Sequence, residues 1–372
     1  MHIEEFRLER TQSLWENRVR YNLTESGLHP YALSELLSTE EQAELLGLSL
    51  GYGWTNGAVE LREAIAALHP GRTADNVLVT NGSAEANFIL VWSMLEPGDE
   101  IIYMLPNYMQ IHGIARSLGA TVVPLYLREE LQWAPDLDGL EGLITPRTRL
   151  ISICHPNNPT GATLRPAEMQ RLVAVARRHG LYLHADEIYR GSEIAGEELP
   201  SFADLYEKAI VTCGLSKAMG LPGLRIGWLL APADIVAAAW HRKDYTSITT
   251  CITSEYVASR VLAATRRRAI LDRGKAVLRG NLATLQDWVA GLGGLLSFVP
   301  PRAGGMAFLH YDLDRNSTEL CDSLREAKGV FLVAGDCYGM DRYVRIGIGV
   351  EATALRQGLA LAGEFFRAAG QG

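Results

Sequence analysis

Residues 209–230, AIVTCGLSKAMGLPGLRIGWLL, hold two short apolar runs around a glycine-rich segment with one lysine, Lys217. The runs at 209–212 and 226–230 are predicted to be buried strands. Lysine is uncommon at the end of a buried strand, where it can act as a nucleophile and form an imine with an aldehyde; in a surface loop it would have no such role. Arg225 adds a planar guanidinium suited to phosphate oxygens. The stretch therefore predicts a binding site at a strand end.

Similar apolar runs alternate with helix-patterned segments from about residue 75 onwards, which predicts βαβ units on a largely parallel sheet. The other predicted strands lie at residues 77–80, 100–104, 121–126, 150–154 and 181–185. The predicted helices between them include residues 83–95, 107–118 and 166–179. After Pro232 a long helical tract runs through Leu292, followed by a different α+β pattern. We predict an α/β fold, with a large domain at residues 45–250 and a smaller α+β domain formed by residues 1–44 and 251–372.

Composition excludes several classes of protein. The 372 residues are 48% hydrophobic, and the formal net charge of -8 comes without a Lys/Arg block. Nucleic acid and anionic membranes are therefore not expected partners. The charged N-terminus and the lack of a membrane-length apolar span predict a cytoplasmic protein. The five cysteines are scattered and no His/Cys/Asp/Glu cluster has metal-ligand spacing, so we expect reduced thiols and no metal.

Polar residues follow the predicted strands, where ligands bind in open parallel sheets. Residues 81–84, NGSA, suit a phosphate at a helix N-terminus, although turn chemistry alone also favours such small residues. Residues 155–161, HPNNPTG, present an asparagine amide or form only a tight turn. Asp186, in DEIY at 186–189, lies at the end of a predicted buried strand. A carboxylate in such a place needs a cation or a hydrogen-bond donor; the alternative is that Asp186 only caps a helix.

Four of these segments resemble, in this order, the class I/II aminotransferases, which are pyridoxal-phosphate (PLP) enzymes of fold type I. They are NNPTG at 157–161, DEIY at 186–189, LSK ending at Lys217 and GLRIGW at 223–228. The resemblance extends from about residue 20 to the C-terminus. It implies a PLP cofactor and transfer of an amino group between an L-amino acid and a 2-oxo acid. Lys217 would hold PLP as an internal aldimine, give way to the substrate's external aldimine, and then shuttle the α-proton.

The resemblance also implies roles for other residues of the cofactor site. Asp186 would pair with the pyridinium nitrogen, Asn158 and Tyr189 would donate to the phenolic oxygen, and Tyr108 would stack on the ring. Lys217, Asp186 and Tyr189 form the implied catalytic set. The implied phosphate ligands are Gly82, Ser83, Ala84, Ser216 and Arg225.

Substrate and assembly residues follow from the same resemblance. Arg345, in YVRIGIG, would clamp the substrate α-carboxylate, with Asn158 beside it; the alternative is a surface salt bridge on an edge strand. Gly27, in NLTESGLHP, lies near the family's N-terminal substrate-contacting glycine. Tyr52, in GYGWTNG, matches a tyrosine that reaches the neighbouring subunit's phosphate, which implies a homodimer.

The sequence departs from the family pattern in two respects. Many relatives carry a hydroxyl three residues before the lysine, where this chain has Gly214; Ser216 or Thr212 would have to compensate. No motif identifies a second arginine for a side-chain carboxylate. The candidates without motif support are Arg242, Arg302 and Arg342. Aspartate specificity is therefore not predicted.

Transamination has two alternatives. The NLTES segment and residues 242–254, RKDYTSITTCITS, resemble capreomycidine synthase and its relatives, which cyclise hydroxylated arginines. A PLP-dependent elimination or cyclisation is thus the alternative, because active-site residues decide the reaction within one fold. A non-enzymatic binding module would need a damaged site or a DNA-binding extension, and the sequence indicates neither.

Overall fold

The computed structural model describes residues 2–370. The helices are α1 (Arg7–Trp15), α2 (Leu33–Leu36), α3 (Thr39–Leu46), α4 (Val59–Ala66), α5 (Ser83–Met94), α6 (Gln110–Ser117), α7 (Pro166–Arg178), α8 (Ala233–Lys243), α9 (Ile252–Val261), α10 (Ala264–Ala290), α11 (Ser317–Lys328) and α12 (Ala352–Ala369). The strands are β1 (Tyr21–Asn22), β2 (Val77–Thr80), β3 (Glu100–Leu105), β4 (Thr121–Arg128), β5 (Ala134–Pro135), β6 (Thr148–Cys154), β7 (Tyr182–Asp186), β8 (Ala209–Gly214), β9 (Gly227–Leu230), β10 (Leu296–Phe298), β11 (Met306–Tyr311), β12 (Val330–Phe331), β13 (Val333–Ala334) and β14 (Tyr343–Gly347).

The large sheet has the strand order β2-β9-β8-β7-β6-β3-β4-β5. Its central strands β8, β7, β6, β3 and β4 pair in parallel, while β9 runs antiparallel to both β2 and β8. Strands such as β2 and β9 are buried along their whole length, as expected for a sheet covered by helices on both faces. The predicted α/β fold with a mostly parallel sheet is confirmed.

A smaller antiparallel sheet, in the order β10-β11-β14-β13, packs with α10, α11 and α12. The short strand β1 pairs in parallel with β12, with Tyr21 opposite Val330. This pairing ties the N-terminal segment to the C-terminal part of the chain, so residues that follow β1 pass close to β14.

Two main hydrophobic cores correspond to the two sheets. The first lies at the large sheet and also takes in Leu8 and Leu36 from the N-terminal segment and Val257 from α9. The second includes Leu23, Leu278 and other side chains of the small sheet and its helices. The core of the large sheet thus includes residues from outside 45–250. The predicted domain boundaries at residues 44 and 250 stay a prediction.

Two predicted helices differ from the structure for identifiable reasons. Helix α6 begins at Gln110 and not at 107, because the Asn107 side chain accepts the Tyr108 amide at 2.7 Å and the Tyr103 hydroxyl bonds the Tyr108 carbonyl at 2.7 Å. The helical tract after Pro232 is interrupted between α8 and α9, where buried Lys243 donates to the Ile248 carbonyl at 2.8 Å. Within residues 2–370, no helix is long and apolar enough to cross a membrane.

Candidate active site

A cavity of about 310 Å³ opens at the carboxyl ends of β6, β7 and β8, with α1 and β14 contributing to its walls. The cavity thus lies at the edge of the sheet where ligands bind in open parallel sheets. The predicted site residues that line it are Ser83, Ala84, Tyr108, Asn158, Asp186, Tyr189, Ser216, Lys217, Arg225 and Arg345. Among residues 2–370, no group of three His, Cys, Asp or Glu side chains has a metal-binding arrangement.

Asp186 ends β7 and is buried at the cavity. Its carboxylate accepts hydrogen bonds from Nδ2 of Asn87 at 3.0 Å and from the Ile188 amide at 3.1 Å. Burial nevertheless raises the pKa of Asp186, and the two hydrogen bonds only partly oppose that shift. No cation within residues 2–370 pairs with this carboxylate, so a positively charged ligand group is needed to stabilise it as an anion.

A chain of buried polar side chains lies behind Asp186. Asn87 accepts from the Thr212 hydroxyl at 2.7 Å, and Thr212 also contacts Nε2 of His184 at 2.9 Å. Nδ1 of His184 contacts the Ser152 hydroxyl at 2.9 Å, and burial lowers the pKa of His184 to about 3. This neutral network fixes the orientation of the Asn87 amide, so that its Nδ2 faces Asp186.

Lys217 lies in the loop after β8, and its backbone carbonyl accepts the Leu28 amide at 3.2 Å. Its Nζ donates to Oε1 of Glu25 at 2.6 Å, and the same oxygen accepts the Gly27 amide at 2.8 Å. Burial opposes ionisation of Glu25. The charge and hydrogen bond of Lys217, the Gly27 amide and the charge of Arg345 outweigh burial and lower the pKa of Glu25 to about 2. Glu25 is therefore a carboxylate counter-ion to the free lysine.

Arg345 lies on β14, between β11 and β13, and is 1% exposed. Nη1 donates to Oδ1 of Asn158 at 2.9 Å and Nη2 donates to the Thr24 carbonyl at 2.5 Å, while Nε has no partner. The alternative of a surface salt bridge is wrong, because Arg345 is buried and forms no ion pair within the described chain. A buried guanidinium without a counter-ion favours a carboxylate ligand.

Two donors lie close to Arg345. Asn158 uses Oδ1 to accept from Arg345, which leaves its Nδ2 available to the cavity. The Tyr189 hydroxyl contacts the Ser26 hydroxyl at 2.8 Å, and burial raises its pKa well above the ordinary value. Tyr189 therefore stays protonated and can donate a hydrogen bond.

The opposite end of the cavity combines a helix N-terminus with a guanidinium. Helix α5 begins at Ser83, and Gly82 before it has a φ of +80°. A Cβ at Gly82 would lie 2.5 Å from Nη2 of Arg225, so glycine is what allows the arginine to approach this turn. Arg225 forms no ion pair among residues 2–370, and Nη1 donates to the Pro222 carbonyl at 3.1 Å. This end suits a phosphate group.

Helix α1 covers one side of the cavity and supplies Leu8, Glu9 and Gln12 to its lining. The Tyr108 hydroxyl donates to Oε1 of Glu9 at 2.6 Å. The ring of Phe6 packs edge-on against Tyr108, with the centroids 4.8 Å apart. These contacts hold the Tyr108 ring at the cavity, where the sequence predicted an aromatic face.

Besides Gly82, which lies in the turn before α5, two predicted residues do not line the cavity. Tyr52 is 88% exposed in the loop between α3 and α4. Gly27 packs behind Lys217, where a Cβ would lie 3.0 Å from the Lys217 Cα. The roles assigned to both residues stay predictions.

The departures from the family pattern have structural explanations. A Cβ at Gly214 would lie 2.8 Å from the Ile226 carbonyl oxygen, so no hydroxyl side chain fits there. Thr212 does not line the cavity, because its hydroxyl belongs to the network behind Asp186. Ser216 does line it. The three further arginine candidates, Arg242, Arg302 and Arg342, lie outside the lining.

Sequence reasoning missed Glu9, Glu25 and Asn87. Glu25 lies in the NLTES segment, which had drawn notice only for its resemblance, and Asn87 lies within a helix that otherwise reads as apolar. The available signal for Asn87 was a polar residue four positions after Ser83, one helical turn beyond the start of α5.

Comparison with known proteins decides the family. Residues 22–360 match the family described as aminotransferase class I and II. The chain belongs to this family. Capreomycidine synthase of Streptomyces vinaceus is 30% identical to this chain over 352 residues. The match covers 93% of this chain and 90% of that relative.

Two solved structures are also similar to this family member. A PLP-dependent aminotransferase from Streptococcus suis has a TM-score of 0.93 and 32% identity, with 99% of each chain covered. The PLP-dependent cyclase OrfR has a TM-score of 0.91 and 28% identity, covering 99% of this chain and 98% of that one. The protein is a PLP-dependent enzyme with the fold type I architecture.

The residues at the cavity fit PLP. Asp186 has no cationic partner in the described chain, and a pyridinium N–H would supply one. Arg225 and the N-terminus of α5 have no anionic partner there, and the phosphate would supply one. Asn158 and Tyr189 have donors for the phenolic oxygen, and Lys217 has the amine for the aldehyde. Every functional group of the cofactor thus has a matching group at the cavity.

Proposed function

We propose that this enzyme transfers an amino group between an L-amino acid and a 2-oxo acid, with Lys217, Asp186 and Tyr189 as its catalytic residues. The observation that carries the proposal is that Lys217 shares one cavity with Asp186, a buried carboxylate without a cation, and Arg345, a buried cation without a carboxylate. These groups match the two ends of a cofactor–amino acid pair.

PLP, when bound, supplies an electron sink that stabilises negative charge at the substrate Cα. Lys217 acts as the base that removes the α-proton, and its Nζ later returns a proton. Asp186 stays ionised against the pyridinium nitrogen, since that cation offsets the burial that raises its pKa. Tyr189 and Nδ2 of Asn158 hold the phenolic oxygen by donating hydrogen bonds, and the Tyr108 ring packs against the cofactor ring.

Arg345 binds the α-carboxylate of the substrate. Its guanidinium is held by Asn158 and the Thr24 carbonyl, which leaves Nε without a protein partner and uses two of the five N–H donors. Asn158 therefore contacts both the cofactor oxygen and the carboxylate-binding arginine. Gly27 contributes to the substrate site indirectly, by packing against Lys217.

The phosphate is held by Gly82, Ser83 and Ala84 at the start of α5, with Ser216 and Arg225. The amides of the first helical turn point at the bound anion, and the hydroxyls and guanidinium complete the set.

The functional unit is a homodimer in which Tyr52 reaches the phosphate of the neighbouring site. Support comes from an exposed apolar surface formed by two segments in contact, with Thr249 donating to the Trp54 carbonyl at 3.2 Å. Its exposed side chains are Leu50, Tyr52, Trp54, Trp240, Tyr245 and Ile248. Extended exposed apolar patches are typical of protein interfaces. The free thiols of all five cysteines support a cytoplasmic location.

The second candidate is a PLP-dependent elimination or cyclisation on a hydroxylated arginine-type amino acid. The similarity to capreomycidine synthase and to the cyclase OrfR favours it. Both reactions begin with the same proton removal by Lys217, and they differ in what the substrate side chain does afterwards.

A half-reaction separates the two candidates. The PLP-loaded enzyme is incubated with a panel of amino acids without any 2-oxo acid, and cofactor form and products are followed by absorbance and mass spectrometry. Transamination predicts one equivalent of pyridoxamine phosphate and one of 2-oxo acid per site. Release of water or ammonia, or a cyclic product, with PLP retained would overturn it in favour of the second candidate.

A further inference from the structure

Three carboxylates of the N-terminal segment, Glu9, Glu16 and Glu25, lie together beside the active-site cavity, and we call them the acidic wall. Glu9 lines the cavity from α1, and Glu25 contacts Nζ of Lys217 at 2.6 Å. Glu16 lies close enough to both that, after burial, their negative charges raise its pKa. Lys217, in direct contact with Glu25, and Arg345, farther away, provide the positive charge that acts on these carboxylates.

Acceptor atoms of the acidic wall remain free. Oε1 of Glu9 accepts the Tyr108 hydroxyl, and Oε1 of Glu25 accepts Lys217 and the Gly27 amide. Within residues 2–370, the Oε2 atoms of Glu9 and Glu25 and both carboxylate oxygens of Glu16 accept no protein hydrogen bond. The wall can therefore bind a group with several donors without breaking its existing contacts.

The ion pair between Glu25 and Lys217 depends on the lysine being free. When Nζ is bonded to the cofactor, Glu25 no longer has an ammonium partner. A partly buried carboxylate beside two others is unfavourable without a cation. Until the substrate amine displaces Lys217, PLP binding thus leaves Glu25 with the Gly27 amide and the more distant charge of Arg345, and the acidic wall with less positive charge than in the free enzyme.

The charges around the cavity also decide which substrates are rejected. The arginines that line it are Arg225, at the phosphate end, and Arg345, which takes the α-carboxylate. A side-chain carboxylate would have no arginine of its own in the described lining and would meet the acidic wall. Neutral side chains would leave the wall without a cation.

We propose that the acidic wall binds a cationic group on the substrate side chain, so that the enzyme acts on amino acids with a guanidinium or ammonium group. The inference rests on the proposed function, because it assigns the α-carboxylate to Arg345. Guanidinium is the better match, since its five N–H donors in a planar fork can serve several carboxylates at once.

Binding of analogues without an α-amino group tests this proposal at equilibrium, since they cannot react with the cofactor. Deaminoarginine, deaminolysine with its terminal amine trimethylated so that it cannot form an imine, caproate and glutarate are titrated into the PLP-loaded enzyme by isothermal calorimetry. We expect the two cationic analogues to bind about tenfold or more tightly than caproate, and glutarate to bind least. Equal or tighter binding of caproate or glutarate would overturn the proposal.

Variants assign the effect to the wall. E25Q, E16Q and E9Q are each compared with E5Q, a matched change of an exposed glutamate in the same segment. Loss of the preference for deaminoarginine over caproate in at least one of the three, but not in E5Q, is expected. Retention of the full preference in all three would contradict the proposal.

Folding and function are controlled separately. Cofactor content and thermal unfolding report whether a variant folds. If a variant does not fold, binding of the four analogues to the unchanged enzyme still tests the proposal. Failure of the proposed function appears in the half-reaction, as no pyridoxamine phosphate from any amino acid. Failure of the present inference appears as pyridoxamine phosphate formed equally well from neutral or acidic amino acids.

Discussion

Nδ2 of Asn87 donates to Oδ2 of Asp186 at 3.0 Å, and the Asn87 carbonyl oxygen is held by Thr212. The amide therefore supports the ionised form of a carboxylate whose pKa burial raises. If Asp186 pairs with the cofactor's pyridine nitrogen as proposed, a residue of α5 is in this way coupled to that nitrogen.

Asn87→Leu should lower kcat and weaken PLP binding, although Asn87 does not line the cavity. Removing a hydrogen bond to a buried charge costs about 1.5–3 kcal/mol, so we expect kcat to fall about tenfold and PLP to bind more weakly. Steady-state kinetics and cofactor titration measure both. T212V removes the support for Asn87 and the contact with His184 but keeps the bond from Asn87 to Asp186, so it should have a smaller effect; a larger effect of T212V would contradict this order of contacts.

Arg345→Lys should lower kcat/KM for amino acids by about a hundredfold, because an ammonium does not reproduce the fork that binds a carboxylate. Saturation kinetics should show the loss mainly in KM. The matched control is R342K, since Arg342 is on the surface and pairs with Asp314 at 3.1 Å. An unchanged KM in R345K would remove Arg345 from the substrate site.

Tyr52→Ala and Lys217→Ala subunits should complement each other. Each homodimer carries two defective sites, but a mixed dimer has one site with an intact lysine and the partner's intact tyrosine. We expect the mixed, refolded sample to recover activity that neither parent has. The absence of any gain, with mixed dimers present by mass spectrometry, would refute the shared site.

Acid should destabilise the protein partly through His155, whose Nε2 accepts the Leu164 amide at 2.9 Å. Burial lowers its pKa from 6.5 to about 4, so between these values the unfolded state binds the proton and the folded state does not. Stability from this group is present above pH 6.5 and is lost as the pH falls towards 4, by about 3 kcal/mol in total.

The control for this pH effect is His155→Gln, which keeps an acceptor for the Leu164 amide and removes the titration. Thermal unfolding of both proteins is measured from pH 7 to pH 4. The difference in Tm between them should shift in favour of the glutamine variant as the pH falls. Parallel curves would show that His155 does not titrate in this range.

The sheet and the strand-end residues were predictable because both follow from local patterns. Apolar runs mark the strands. Asp186 directly follows its run and Lys217 lies in the loop after its run, so a parallel sheet had to bring them to one edge. The start of α6 was not predictable in the same way, because side-chain contacts of Asn107 and Tyr103 hold Tyr108 outside the helix.

The contacts made by Glu25 and Asn87 depend on the tertiary fold. Glu25 and Lys217 are separated by 192 residues and meet only because β1 pairs with β12 and carries the N-terminal segment to the site. Asn87 and Asp186 are separated by 99 residues, and the first lies in helix α5 while the second ends strand β7. Asn87 lies in no motif, and the resemblance of the NLTES segment assigns no role to Glu25, so residue type alone did not single out either residue.

Borohydride reduction of the PLP-loaded enzyme, followed by peptide mapping, tests the central claim most directly. Reduction converts the imine between PLP and a lysine into a stable bond. The chain has five lysines, and each of them is a possible position for that imine. Lys243 is also buried, but its Nζ donates to the Thr55 and Ile248 carbonyls at 2.9 and 2.8 Å. We predict one phosphopyridoxyl group per chain, on Lys217 alone. Labelling of Lys243 or another lysine with Lys217 unmodified would contradict the account.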